Sequence, residues 1–328
     1  MLQLLLGGSG SGKTTLLYQR IRARAEKGKK SILLVPEQFT SSTEGRIYRE
    51  LGDALSGMVE SFSFTSLAEK ILSTEGGAAV QTLSDAGRAV LVRRALEELQ
   101  DNVHYYHRHR RSAAFCQMAA QTIDELKSAG LSGRQLAQLA GACGAESGKL
   151  SELALIFQGY ETLLARSGMD PSDRLELAGA RLEEALARHS LPEFLRDRAV
   201  FIDEFDTFNA PKKRLLGAML AALPSVTVAL CDDGAPLLPG DLSLFSGAKQ
   251  VAAQLRQLAR KNGAEVAVPQ LLRKDLRHRN APGLAAVAEL LETGSCTADA
   301  PAGEVRLFAA PSREEEARCA AAAIRRLM

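Results

Sequence analysis

The nine residues GGSGSGKTT, from Gly7 to Thr15, constrain this chain more than any other stretch. They follow the apolar run MLQLLL and precede TTLLYQRIRARAEKGKK, whose pattern predicts a helix ending near Gly28. A G-x-x-x-x-G-K-[ST] loop set between a buried strand and a helix is a phosphate grip. Its glycines let the backbone turn N–H groups inward as an anion nest at a helix N-terminus. On that pattern Gly7, Gly8, Ser9, Gly10, Ser11, Gly12, Lys13, Thr14 and Thr15 hold the nucleotide. Lys13 neutralises the β- and γ-phosphates, and the Thr14 hydroxyl is a ligand for the metal. ATP and Mg2+ are the expected cofactors.

The segments that follow suit a parallel sheet. SILLVP (31–36) is apolar without alternation, as in strands covered on both faces. MVESFSF predicts a third strand leading into the helix TSLAEKILST, and STEGRIYRELGDAL before it reads as helical. Strand character returns at RAVFIDEF (198–205) and SVTVALCDD (225–233), with the helix APKKRLLGAMLAAL between them. GAKQVAAQLRQLARKNG is a further helix, and EVRLFAAPSREEEARCAAAAIRRLM predicts a last strand and helix, with a capping box from Ser312 to Glu315. Between about 82 and 189 the β-branched runs vanish. There, Leu153, Ile156, Tyr160, Leu163 and Leu164 mark one face of a helix. The fold class expected is α/β, a P-loop (RecA-like) mostly parallel sheet carrying an inserted all-helical subdomain.

FIDEF supplies the partner of the loop. An apolar strand ending in Asp203 delivers a carboxylate to the Mg2+ site, and Glu204 beside it can orient and deprotonate an attacking water. The competing account is an acidic strand end that caps the next helix. A paired Asp-Glu leans towards nucleotide hydrolysis rather than phosphoryl transfer to a small molecule.

Composition narrows the compartment more than the chemistry. The formal net charge of +2 gives no whole-protein field for a polyanion, so any such site must be local. Five cysteines at 116, 143, 231, 296 and 319 form no CxxC pair, which suits neither zinc nor a disulfide framework. Cys231 and Cys319 lie in apolar stretches and are expected in the core. Reduced thiols, a leading apolar run too short for a signal peptide, and no run of ~18 apolar residues point to a soluble cytoplasmic protein. IRRLM stops as if within a helix, as expected of the N-terminal portion of something longer.

At this point several stretches resemble one family. LLVPEQFTSSTE (33–44), SFSFTSLAEKIL (61–72), KLSELALIFQGYETLLARSGMDPSDRL (149–175) and EVRLFAAPSREEEARCAAAAIRRL are similar to the AddB subunit of the bacterial AddAB helicase–nuclease. The resemblance spreads over essentially the whole chain. It implies a superfamily 1 helicase-like architecture divided as 1–80 (motor domain, first part), 81–190 (helical insertion), 191–300 (motor domain, second part) and 301–328 (start of a second motor domain). It implies an AddA-like partner subunit, a role in processing double-strand DNA ends, and tracking of a single DNA strand. In that setting PEQFT faces the strand, so Gln38, Thr40 and Phe64 are the expected DNA contacts, while Phe39 and Phe62 are expected in the core. Arg279, in LRHRNAP, is the expected γ-phosphate arginine. Asp206 stands where helicases of this kind carry a coupling glutamine, and the strand ending CDDG lacks the glutamine expected after it. Those departures imply ATP binding retained with motor coupling reduced. The full-length family also carries an iron–sulfur cluster, into whose pattern none of the five cysteines fits.

Two basic clusters, HYYHRHRRSAAF (104–115) and LRKDLRHRN (272–280), fit either a nucleic-acid surface or solvated loops, and the second account is preferred. His104, His107 and His109 lack the i, i+4 spacing of a metal site. Two other classes compete with the helicase-like reading. One is a small-molecule P-loop kinase, which would ignore single-stranded DNA. The other is a recognition or structural subunit that a bound nucleotide stabilises without turnover.

Overall fold

A computed structural model describes residues 1–77, 79, 81–144, 147–295 and 305–328. Its centre is a six-stranded sheet, and every pairing in it is parallel. In chain order the elements begin β1 (Leu2–Gly7), α1 (Lys13–Ala25), β2 (Ser31–Leu34), a 3-10 turn (Glu37–Phe39), α2 (Thr40–Leu51), α3 (Asp53–Ser56), β3 (Val59–Phe62) and α4 (Phe64–Glu75). Five helices follow: α5 (Asp85–Glu98), α6 (Ala113–Ser128), α7 (Gly133–Ala140), α8 (Ser147–Ser167) and α9 (Pro171–Ala187). The chain then returns to the sheet with β4 (Ala199–Ile202), α10 (Ala210–Ala222), β5 (Ser225–Cys231), α11 (Ser246–Lys261) and β6 (Gln270–Leu272). α12 (Pro282–Thr293) and α13 (Arg313–Leu327) complete it.

The strand order is β3-β2-β4-β5-β1-β6. Period-two alternation divides each strand between two layers. Leu2, Leu4, Leu6, Ile32, Leu34, Val200, Ile202, Val226, Val228 and Leu230 face α4, α9, α10 and α11. Leu5, Leu33, Ala199, Phe201 and Ala229 face α1 and α2. Both faces being covered, the strands read as unbroken apolar runs. β6 is a half-buried edge strand of three residues, too short for its pattern to stand out in the sequence.

The helices between β3 and β4 do not all belong to one packing unit. α5, α6, α7 and α8 close their own core around Val92, Ala95, Ile123, Phe157 and Tyr160. α9 instead puts Leu175, Ala178 and Leu182 into the sheet's core beside α4 and α10. Serine caps recur here: Ser84, Ser112 and Ser132 each accept from the backbone N–H three residues on, closing the first turn of α5, α6 and α7. A buried network ties the two units together. Lys127 on α6 reaches Asp170 at 2.8 Å and Asp173 at 2.7 Å, and the Tyr160 hydroxyl donates to Asp170 at 2.6 Å. Thr82 and Met169 pair in a short parallel bridge where the unit begins and ends, with Leu83 N–H donating to the Met169 carbonyl and Met169 N–H to the Gln81 carbonyl.

Several expectations fail in instructive ways. No strand forms over 305–310: Leu307 is fully exposed and no neighbouring strand is there among the described residues to pair with it. Ser312 accepts from Glu315 N–H, but no return bond to the Ser312 N–H completes the box. Cys231 is exposed at the end of β5 and Cys319 half-buried on α13; among the described residues Cys116 is the buried thiol. Cys296 and the 300/301 boundary lie outside the described residues. No described helix is long and apolar enough to cross a membrane.

Candidate functional site

The loop after β1 lies where the sequence pattern requires, between a buried strand and the first turn of α1. Gly10 and Gly12 have φ of 79° and 88°, left-handed values that a side chain would strain. Crowding adds to this: a Cβ on Gly7 would come within 2.4 Å of the Ser11 hydroxyl and 2.6 Å of the Leu272 carbonyl. Lys13 folds back so that its ammonium donates to the carbonyls of Gly7 at 2.7 Å and Gly8 at 2.8 Å. An ammonium has three donors, so one is left for a ligand. Burial pushes the Lys13 pKa down, with Cys231 and Asp203 opposing that shift and Arg277 adding to it.

β5 stands between β1 and β4, so the loop and the end of β4 face each other across one strand, roughly 10 Å apart. Asp203, just past β4, is 6% exposed and lines the same cavity as Thr14. Its backbone N–H donates to the Leu34 carbonyl at 3.1 Å, which fixes the carboxylate over the sheet's C-terminal edge. Glu204 follows in a left-handed conformation at φ 64°, its own N–H donating to Asp203 Oδ1 at 3.0 Å. A non-glycine residue held there costs about 1–3 kcal/mol, a strain that clusters at functional sites. Burial raises the Glu204 carboxyl above its ordinary value, and the neighbouring Asp203 raises it further.

These residues line a cavity of about 590 Å3, shared with Thr15, Arg46, Asp206, Ala229, Cys231 and Arg277. Such a volume falls in the range of pockets for ligands of nucleotide size. The Ser11 hydroxyl is buried with no partner among the described residues, but it lines a neighbouring cavity with Gly7 and Gly8 and not this one. Left-handed glycines, the lysine, and Thr14 and Asp203 lining one cavity together fit a Mg2+-bound nucleoside triphosphate. Among the described residues no group of three His, Cys, Asp or Glu could hold a metal alone. Mg2+ does not need one, since it keeps waters and shares substrate phosphates.

Other expected site residues sit differently. Arg279 is exposed and does not line the cavity; Arg277, two residues earlier, does, and it donates to the Ser9 hydroxyl at 3.0 Å. The basic stretch 272–280 is thus more than a solvated loop, because Leu276 N–H also donates to the Gly10 carbonyl at 3.0 Å. Phe64 is 3% exposed and packs edge-on against Phe205 at 5.2 Å and Phe208 at 6.0 Å, so it is core and not a DNA contact. Phe39, expected in the core, is 36% exposed because it closes the 3-10 turn after β2. Phe62 is half-buried against the sheet core. Gln38 is exposed on that same turn, while Thr40 spends its hydroxyl on the Glu37 carbonyl at 2.8 Å. The 104–115 loop is anchored from below. Glu152, 6% exposed, accepts from the N–H groups of His104, Tyr105 and Tyr106 at 2.7 to 3.2 Å. Arg46 and Arg277 are the charged cavity residues that the sequence did not single out. Only Arg277 left a trace there, in the basic cluster that holds it.

Comparison with known proteins gives one answer throughout. The model of the family described as "ADDB, N-terminal" matches residues 4–288. Among curated relatives, the B-type subunit of the ATP-dependent helicase/deoxyribonuclease of Desulforudis audaxviator is 34% identical over 99% of this chain and 28% of that protein. The proteins of the same name from Symbiobacterium thermophilum and Moorella thermoacetica are each 32% identical, over 100% and 99% of this chain and 29% of their own lengths. This chain thus spans under a third of the relatives it matches.

Proposed function

This chain belongs to the AddB N-terminal family, and from that premise we propose that it binds ATP with Mg2+ at the Gly7–Thr15 loop and couples that site to handling a single DNA strand. It would do so as part of a subunit that, with an AddA-like partner, processes double-strand breaks for recombinational repair. The observation that carries the reading is that Lys13 and Thr14 of the loop share one cavity with Asp203 and Glu204 from the end of β4, across β5. In this reading the fold is RecA-like, α5–α8 form the inserted subdomain, and the divisions near 80, 190 and 300 separate its parts.

The roles follow from position. Lys13 and Arg277 face the phosphates from two sides, and Thr14 with Asp203 would hold the metal. Bound Mg2+ supplies charge neutralisation on the phosphate oxygens. Glu204 takes the proton of an attacking water, and it does so only when ionised. Its raised pKa means that hydrolysis falls as pH drops through a value above the ordinary 4.5. Gln38, exposed on the turn after β2, would meet a DNA phosphate, with Thr40 near it. A second reading, nucleotide binding without turnover, draws support from Asp206, a carboxylate lining the cavity where a coupling glutamine is expected.

The test is ATP binding and hydrolysis by this chain with and without single-stranded DNA. Lys13→Ala is expected to reduce ATP affinity at least tenfold while leaving thermal unfolding nearly unchanged. DNA that shifts nucleotide affinity or turnover supports coupling. Binding of both ligands with no cross-effect favours the second reading, and unaltered ATP affinity in Lys13→Ala overturns the nucleotide site.

A further inference from the structure

A cavity of about 870 Å3 lies at the end of the sheet opposite the nucleotide cleft. It opens where β2, β4 and β5 begin, bounded by the turn after α1, by α4 and by the segment 193–198. Its walls carry six cations, Arg24, Lys29, Lys30, Lys70, Arg196 and Arg198, against two carboxylates, Glu193 and Asp197. That is a formal excess of four positive charges, twice the net charge of the whole chain. Like charges gathered in one concavity repel, so the arrangement costs stability unless an anion relieves it.

Not all six are available. Arg198 is 7% exposed and paired with Glu60. Arg24 donates to the Ser31 hydroxyl at 3.2 Å and the Lys30 carbonyl at 3.3 Å. Lys29, Lys30, Lys70 and Arg196 have no ion pair among the described residues. The two guanidinium groups best placed to fork a carboxylate are therefore committed, and the free cations are mostly lysines. Lysines act as point charges and suit phosphate without demanding its orientation. The one aromatic ring in the described lining, Phe194, is half-buried and has the Lys70 ammonium 5.8 Å from its centroid. No free stacking platform for a base is left among these residues.

We propose that this cleft binds the phosphodiester backbone of a nucleic acid, without reading its sequence, as a second contact remote from Gln38 and from the nucleotide site. The choice of nucleic acid among polyanions rests on the DNA-handling reading above; the existence of an anion site does not. Lys29 and Lys30 project from the turn at Gly28, whose φ of 69° ends α1. They are the simplest handle, since changing them disturbs no core residue.

The experiment measures fluorescence anisotropy of a labelled oligo-dT and of a mixed-sequence duplex on the whole chain across a salt series. The variants are Lys29→Glu with Lys30→Glu, and separately Gln38→Ala. The double variant is expected to lose at least tenfold in affinity at low salt for both probes. Losing two phosphate contacts should also make its salt slope on oligo-dT shallower by about 1.4. ATP affinity should stay unchanged, which reports that the chain is folded. Equal binding by double variant and parent overturns the proposal; if Gln38→Ala weakens binding meanwhile, the strand-handling reading survives without it. A loss in the double variant with none in Gln38→Ala upholds the cleft and removes Gln38 from the strand's path. Poly-glutamate that competes as well as oligo-dT at equal charge overturns the nucleic-acid assignment in favour of an acidic protein segment. A parent chain that binds neither nucleic acid overturns both readings.

Discussion

Burial lifts the carboxyl of Asp203 above its ordinary 3.8, and only Thr14, the Glu204 N–H, Lys13 and Arg46 pull it back. A carboxyl that holds its proton more tightly when folded favours the native state most below the ordinary value. It loses that contribution as pH rises through the raised one. At neutral pH the buried charge is therefore a cost that a cation in the cleft would relieve. Asp203→Asn is expected to raise the melting temperature of the nucleotide-free chain at pH 7 and to flatten its pH dependence above about 4, while weakening Mg2+-dependent ATP binding at least tenfold. Calorimetry beside nucleotide titration checks both. Phe64 calls for the opposite experiment. Its ring is enclosed by Phe205, Phe208 and the sheet, so Phe64→Ala should cost about 3–5 kcal/mol in urea unfolding and alter DNA affinity only through stability. At this scale position is legible where it is local: the glycines, Lys13, Thr14 and the Asp203–Glu204 pair are placed by the strand and turn that carry them. Arg277, Arg46 and the burial of Phe64 are set by tertiary packing between distant segments, which no local spacing encodes.

Among elements, the strands of the sheet were readable because both faces are covered and apolar runs without alternation admit few other fates. β6 has three residues, and the segment 305–310 has the strand composition without a partner to pair with, so pattern alone misjudged both in opposite directions. The sequence groups α9 with the helices before it, because its composition matches theirs. Its apolar stripe nonetheless faces α4 and α10, and the joint with α6 and α8 is polar. That joint is testable. Asp170 is 1% exposed, so removing its counter-ion leaves a buried charge held by Tyr160 and the first turn of α9 without its ammonium partner. Lys127→Met is expected to destabilise the chain by about 3–5 kcal/mol. Adding Asp170→Asn and Asp173→Asn should recover most of the loss, as read by chemical denaturation of the single and triple variants.

For the molecule as a whole, the parallel sheet places two cavities at opposite ends of the same strands, one lined by the glycine-rich loop after β1 and one by lysines. Parallel strands put all their C-terminal ends on one side, where the Gly-rich turn and the acidic pair converge, and all their N-terminal ends on the other. The first end announces itself in motifs; the second is assembled from single residues of four separate segments and has no signature. The bridge between Thr82 and Met169 carries a different lesson. Because the chain leaves and re-enters through two hydrogen-bonded neighbours, residues 83–168 hang from a doorway one peptide pair wide. Replacing them with a turn of roughly two to five residues should leave α9 seated, Asp170 newly hydrated and ATP affinity unaltered. A chain cut that way would make the four-helix unit a detachable module, free to be lost, lengthened or exchanged over evolutionary time without renegotiating the sheet beneath it.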